Sequence, residues 1–215
     1  DKVTHRGNIK HILTKKGYHS EEFMLCFITY QKTIKHIDQI VEILIQEFPH
    51  IKTIIQNINE RHDNVILGDE EKILYGKGYI YDTLLDNQYK ISLKSFYQIN
   101  PIQVEKLYQT AIDLAHINQD SVVLDAYCGI GTITLSLAKH VKKVYGVEVI
   151  YQAIEDAKNN ALLNKIDNAE FVCDDAGKYM VELVKKNTHL DVVFVDPPRK
   201  GCSEEFLEHL LQASP

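Results

Sequence analysis

The sequence predicts an α/β fold: a parallel sheet with helices on both faces, preceded by a small α+β domain. Three observations predict it. After about residue 100, apolar strand-like runs alternate with helix-like runs, the pattern of a parallel sheet covered on both sides. Residues 22–58 read as strand, helix, strand. The 215 residues are 45% apolar and 25% charged, an ordinary globular composition long enough to bury a core without staples.

The first part is taken in order. Residues 22–30 (EFMLCFITY) are aromatic and β-branched, a buried strand by composition. Thr33 could cap a helix over 34–48. Ile34, Ile37, Val41, Leu44, Ile45 and Phe48 recur there at helical spacing, and Pro49 follows. Residues 51–58 (IKTIIQNI) read as a strand, and the three elements fit a split βαβ arrangement. NVILGD and KILYG, joined at Gly68-Asp69, read as a hairpin. Residues 79–93 hold further short strands.

The character changes near Asn100. Asn100-Pro101 is a helix start, Asn as cap and Pro at the first helical position. Val104, Leu107, Tyr108, Ala111 and Ala115 give that helix its apolar stripe. Strands are then expected at 121–127, 143–149, 169–175 and 191–196. Helices are expected over TITLSLAKH, 151–164 and 177–186, and from Ser203. The domains are drawn as 1–92 and 93–215.

Charge and cysteine content exclude several classes. The net charge is −6. Residues 1–90 carry 12 basic and 13 acidic side chains, and residues 91–215 carry 12 and 17. That balance argues against gripping nucleic acid by bulk charge. Cys26, Cys128, Cys173 and Cys202 form no CxxC pair, which excludes a zinc ribbon or disulfide scaffold and points to a reducing, cytosolic setting. No apolar run approaches the roughly 18–20 residues that cross a bilayer. The first residue is Asp1, so the chain is expected to begin inside a longer polypeptide.

Four motifs carry chemistry. Asp125-Ala-Tyr-Cys-Gly129-Ile-Gly131-Thr132 follows a strand and opens a helix. Its two glycines allow a sharp turn and a close backbone approach to a ligand. It is neither the three-glycine dinucleotide fingerprint nor a phosphate loop. Glu148 ends the next strand, 17 residues beyond Gly131, where a carboxylate can accept both hydroxyls of a ribose. Asp174-Asp175 ends the third strand. A carboxylate there could accept from an adenine amine or cap the following helix. Asp196-Pro-Pro-Arg-Lys-Gly201 ends the fourth, a rigid segment at the switch-point crevice.

In this order, the glycine turn, Glu148 and Asp-Pro-Pro resemble the class I S-adenosylmethionine-dependent methyltransferases. Ser95-Phe-Tyr-Gln98-Ile-Asn-Pro101, the Asp125–Gly131 string and Asp196-Pro-Pro-Arg-Lys-Gly-Cys202 are similar to the RNA uracil-5-methyltransferases, most of all to the bacterial 23S ribosomal RNA branch. Gln56-Asn-Ile-Asn59, Val65-Ile-Leu-Gly68 and Tyr79-Ile-Tyr-Asp-Thr83 are similar to that branch's central domain. The resemblance implies a Rossmann-like domain, S-adenosyl-L-methionine as cofactor and 23S ribosomal RNA as substrate. It places Gln98, Tyr127, Glu148 and Asp196 at the cofactor, with Gly129 and Gly131 beneath it and Asp175 near the adenine. Several relatives carry Asn at the position of Thr132, where this sequence departs from the pattern.

The resemblance also implies a mechanism. A cysteine thiolate adds to carbon 6 of uracil, carbon 5 takes the methyl group, and a base removes the carbon 5 proton. The family's cysteine lies on a strand after the Asp-Pro-Pro helix. None of the four cysteines here matches it, so no catalytic residue is assigned within this chain, and both nucleophile and base are expected beyond Pro215. The 215 residues alone are then expected not to methylate uridine. Lys10, Lys15, Lys16, Arg61 and Lys77 are candidate RNA contacts in residues 1–92. Two alternatives stay open: methylation of an exocyclic base amine through Asp-Pro-Pro, and a non-catalytic RNA-binding module.

Overall fold

A computed structural model describes residues 7–215. The chain divides into two compact units. One runs up to Thr83 and includes Lys90–Lys94, and the other comprises Leu84–Tyr89 and Ser95–Pro215. Among the described residues no helix is long and apolar enough to cross a membrane.

The first unit is built on β1 (Ile9–Lys16), β2 (Phe23–Thr29), α1 (Ile37–Glu47), β3 (Ile51–Ile58) and β4 (Glu70–Gly76). The sheet order is β1-β2-β3-β4, with β2 and β3 parallel and both outer pairs antiparallel. The two central strands carry the core: Met24, Cys26, Phe27, Ile28, Ile54, Ile55 and Ile58 are all buried. β5 (Tyr79–Leu84) and β6 (Asn87–Ser92) form a separate two-stranded sheet.

Three expectations for this unit are corrected. β2 and β3 are direct neighbours, so the βαβ unit is not split. The helix starts at Ile37, behind a left-handed His36 (φ 58°), and Thr33 caps nothing. The Gln56 side chain donates to the carbonyls of Gln31 and Lys32 at 3.1 and 3.0 Å, and Asn8 donates to the Thr33 carbonyl at 2.8 Å. These bonds hold residues 31–33 as a loop. Nor does Gly68-Asp69 join two strands. Asn57 bonds both the N–H and the carbonyl of Gly68, and Asn59 donates to the carbonyls of Val65 and Ile66. The segment is tied down by asparagine side chains, and a Cβ at Gly68 would run into the Ile58 carbonyl.

The second unit continues with α2 (Pro101–Leu114), β7 (Val122–Ala126), α3 (Thr132–Ala138), β8 (Lys143–Glu148), α4 (Tyr151–Leu163), β9 (Ala169–Cys173), α5 (Ala176–Lys185), β10 (Val192–Val195) and α6 (Glu204–Ala213). Its sheet is parallel throughout, in the order β10-β7-β8-β9. Strand alternation sorts the core into two layers. Val123 and Val144 pack with Ile112, Leu137, Ala138 and Val141. Leu124, Ala126 and Val147 face the other way, against Met180, Leu183 and Phe206. Helices therefore cover both faces, and the fold is the expected doubly covered α/β sheet.

Asn100 caps α2, its side chain accepting from the Gln103 N–H at 3.2 Å, with Pro101 at the first position. The buried stripe of that helix is Pro101, Val104, Tyr108 and Ile112. Leu107, expected in the stripe, is 64% exposed. The four-residue spacing of the buried positions turns it outward. Ser203 caps α6 by accepting from Phe206 N–H at 3.2 Å.

Candidate functional site

In a parallel sheet all strands end on one edge. Here β7, β8 and β9 progress outward on one side while β10 lies on the other side of β7. The chain order reverses between β7 and β10, the place where open α/β sheets bind ligands. Gly129, Gly131, Glu148, Asp175 and Asp196 all follow or end strands on this edge.

The loop from β7 to α3 is wound by left-handed residues: Tyr127 (φ 83°), Gly129 (φ 55°) and Gly131 (φ 85°). For a non-glycine such as Tyr127 this conformation costs about 1–2 kcal/mol. The surroundings supply the compensation. The N–H groups of Tyr127 and Cys128 both donate to the Val147 carbonyl at 2.9 Å. The Tyr127 ring packs 6.0 Å from that of Phe206. Buried Asn160 of α4 donates to the Ile130 carbonyl at 3.2 Å. The two glycines differ. A Cβ at Gly131 would press on the Phe171 ring at 3.1 Å, whereas one at Gly129 would meet nothing within 4 Å. The backbone at Gly129 thus borders open space.

Glu148 fastens the loop. One carboxylate oxygen accepts from Gly129 N–H at 3.3 Å and the other from Ile150 N–H at 3.0 Å. Asp175 caps α5, its Oδ1 accepting from Gly177 and Lys178 N–H at 2.9 and 3.2 Å. Burial pushes the Tyr127 phenol up to about 12, assisted by the neighbouring Cys202 and Asp175. Exposed Asp196 follows β10, and Gly201 (φ 81°) closes a turn by donating to the Pro198 carbonyl at 2.8 Å. The Gln98 side chain lies against the Tyr108 hydroxyl, which also bonds the Thr132 hydroxyl at 3.1 Å. Tyr108 therefore links Gln98 to the first turn of α3.

Asp125 opens the glycine motif, and its sequence context assigns it no role. It is fully buried, and its Oδ2 accepts from the Thr134 hydroxyl at 2.6 Å. Its Oδ1 has no hydrogen-bond partner. Burial raises its carboxyl to about 7; the Thr134 hydroxyl and N–H oppose that rise, and the charges of Asp196 and Glu148 add to it. The signal was legible: an acid inside an apolar strand requires a reason.

The cysteines are not equivalent. Burial pushes the Cys26 thiol up to about 12 and raises that of Cys128 well above its ordinary value, so neither supplies thiolate near neutral pH. Cys173 is exposed. It is the last residue of the edge strand β9, and its Sγ lies 3.6 Å from the Val149 carbonyl. Cys202 is half-buried beside Tyr127. Of the candidate RNA contacts, Lys10 donates to the carbonyls of Asn59 and Arg61, and Lys15 to that of Ser92. Lys16 pairs with Glu21 at 3.8 Å and Arg61 with Asp63 at 2.6 Å. Those four cations are engaged within the first unit.

The site is thus a glycine-opened loop with Glu148 and Asp196 at the neighbouring strand ends and Asp125 buried in β7 behind it, carboxyl groups suited to a cationic, ribose-bearing ligand. Known proteins share this frame. The chain is 45% identical, over its full length, to an uncharacterized RNA methyltransferase of Oceanobacillus iheyensis. It is 49% identical over 97% of its length to another from Streptococcus mutans. It spans about half the length of these relatives, 47% and 46% respectively. Among solved structures, the Pyrococcus abyssi tRNA (uracil-54, C5)-methyltransferase, crystallised with S-adenosyl-L-homocysteine, superposes with a TM-score of 0.81 at 27% identity. That match covers 99% of this chain and 49% of the other. The profile of the tRNA (uracil-5-)-methyltransferases matches residues 20–213. With the strand-end residues and the sheet order, that match shows that the chain belongs to the tRNA (uracil-5-)-methyltransferase family.

Proposed function

We propose that the sheet edge binds S-adenosyl-L-methionine and that the protein methylates carbon 5 of uridine in RNA. One observation carries the cofactor reading. A Cβ at Gly129 would meet nothing within 4 Å, Glu148 accepts from the Gly129 N–H, and exposed Asp196 follows β10 on the same edge of the sheet. The residues fit the group: a positive sulfonium suits a carboxylate-lined crevice, and the Gly129 backbone leaves room for close approach. When bound, the cofactor supplies an electrophilic methyl group.

The chain's own residues bind and orient. Glu148, already holding Gly129 and Ile150 N–H, offers its remaining lone pairs to a ribose. Asp175 caps α5 through Oδ1 alone and lies beside Tyr127, on the side assigned to the adenine. Gln98 and Asp196 border the other end, Gln98 steadied by Tyr108. Tyr127, held left-handed, and Gly131 fix the loop. The nucleophilic cysteine and the base are assigned outside these 215 residues on the resemblance: none of the four cysteines matches the family's position, and Cys26 and Cys128 are held as thiols.

We assign 23S ribosomal RNA as substrate, and the cytoplasm as the place of action, on the similarity of the Ser95–Pro101, Asp125–Gly131 and Asp196–Cys202 strings. The Pyrococcus neighbour, a tRNA enzyme, favours tRNA as the second reading. The test uses the full-length protein with 5-fluorouridine-containing 23S fragments and tRNA. A covalent adduct confined to 23S fragments supports the assignment, and an adduct confined to tRNA replaces it. Methyl transfer to RNA without any adduct overturns the uracil reading in favour of an exocyclic amine.

A further inference from the structure

Asp125 occupies a position that a carboxylate should avoid. It sits in β7, the strand flanked by β10 and β8, in register with Phe194 and Gly146. It is fully buried, and one of its two oxygens is without a hydrogen-bond partner. An ionised carboxylate so placed forfeits water on one side. Thr134 of α3 holds the other oxygen. Gly146 makes space for that hydroxyl, since a Cβ there would meet Thr134 Oγ1 at 2.9 Å. The groups facing Asp125 offer no relief. Glu148 ends β8 and Asp196 follows β10, and both are negative. Tyr108 of α2, Tyr89 of β6 and Cys128 of the loop feel its charge and are themselves raised, so they stay neutral near pH 7. Among the described residues no cation counters this cluster, and the loop that follows Asp125 borders open space at Gly129.

We propose that Asp125 is a proton-linked residue of the cofactor site: its carboxyl gives up a proton when the sulfonium of S-adenosylmethionine binds, which favours the methyl donor over its thioether product. The inference rests on the cofactor reading above. The step balances: the O–H bond of Asp125 breaks, its electron pair stays on the carboxylate, and the proton passes to solvent. The product thioether has lost the sulfonium charge and releases less proton. The free carboxyl, near 7, is about half protonated at neutral pH. Binding at pH 7 then releases up to about half a proton, and affinity rises as pH increases through that range, by at most about tenfold per unit.

The test is calorimetry on the full-length protein with S-adenosylmethionine and S-adenosylhomocysteine, at pH 6, 7 and 8, in buffers of differing ionisation enthalpy. The expected result is proton release with the donor, less with the product, and none with the donor in Asp125→Asn, whose affinity no longer varies with pH. Thr134→Val gives an independent handle. It removes a hydroxyl that favours the carboxylate, so the midpoint of release moves to higher pH. Donor binding without proton release, or equal release by Asp125→Asn, overturns the proposal. An unmoved midpoint in Thr134→Val does the same should Asp125→Asn fail to fold. Absence of any binding by the wild-type protein contradicts the cofactor reading itself.

Discussion

Two glycines two residues apart, Gly129 and Gly131, separate what the loop needs for folding from what it needs for a ligand. Replacing Gly131 with alanine imposes two costs. Its φ of 85° is left-handed, worth about 1–2 kcal/mol for an L-residue. The added Cβ meets the Phe171 ring at 3.1 Å and Ala157 Cβ at 3.3 Å, and overpacking of that kind adds about 1–3 kcal/mol. The sum is about 2–5 kcal/mol. Gly129→Ala bears only the first cost, about 1–2 kcal/mol, because nothing lies within 4 Å of its Cβ. That same open space is where the cofactor is assigned. Urea unfolding and titration with S-adenosylmethionine read the two effects separately. Gly131→Ala is expected to lose clearly more stability. Gly129→Ala is expected to lose only about 1–2 kcal/mol of stability and roughly tenfold or more in affinity, or about 1.4 kcal/mol. Equal destabilisation of the two variants, or wild-type affinity in Gly129→Ala, refutes the reasoning.

Other outcomes follow from the same geometry. Asp125 lies near 7 when folded and near 3.9 when unfolded. The native state therefore binds more protons between those values, and stability falls as pH rises from about 4 to 7, then levels. The three-unit difference corresponds to about 4 kcal/mol. Asp125→Asn should flatten that dependence in melting experiments and gain relative stability at pH 8 over pH 5. Tyr108→Phe removes the hydroxyl between Thr132 and Gln98. It should cost about 0.5–1.5 kcal/mol of stability and raise KM for the cofactor more than it lowers kcat. Phe206→Ala opens a fully buried site beneath Tyr127 and should cost about 3–5 kcal/mol by denaturant titration.

Elements that depend on their own residues were legible in the sequence. VVLDA, KVYGVE, AEFVC and VVFV carry apolar runs that commit them to strands, and Asn100-Pro101 and Ser203 mark helix starts that the structure keeps. Features set by distant partners were not legible. Gln56 fixes residues 31–32 from 24 or more positions away, which moves the start of α1 past Thr33. Asn57 and Asn59 hold Gly68 and residues 65–66 where turn chemistry alone suggested a hairpin. At the site, Gly129, Glu148 and Asp196 stood out because strand ends are predictable. The left-handed Tyr127 and the orphan oxygen of Asp125 depend on tertiary contacts from β8, α3 and α6, and no local pattern announces them. Lys10 and Lys15 show the converse: as residues they suggest RNA, but in the fold they satisfy carbonyls.

The central claim is that the carboxylate-bordered, glycine-opened edge of the sheet binds S-adenosylmethionine. Titration calorimetry of the full-length protein with that cofactor, beside the Glu148→Ala/Asp196→Ala double variant, tests it most directly. The account predicts one site per chain in the wild type and loss of binding in a double variant that keeps its wild-type circular dichroism. No heat at millimolar cofactor, or equal binding by the double variant, would contradict it.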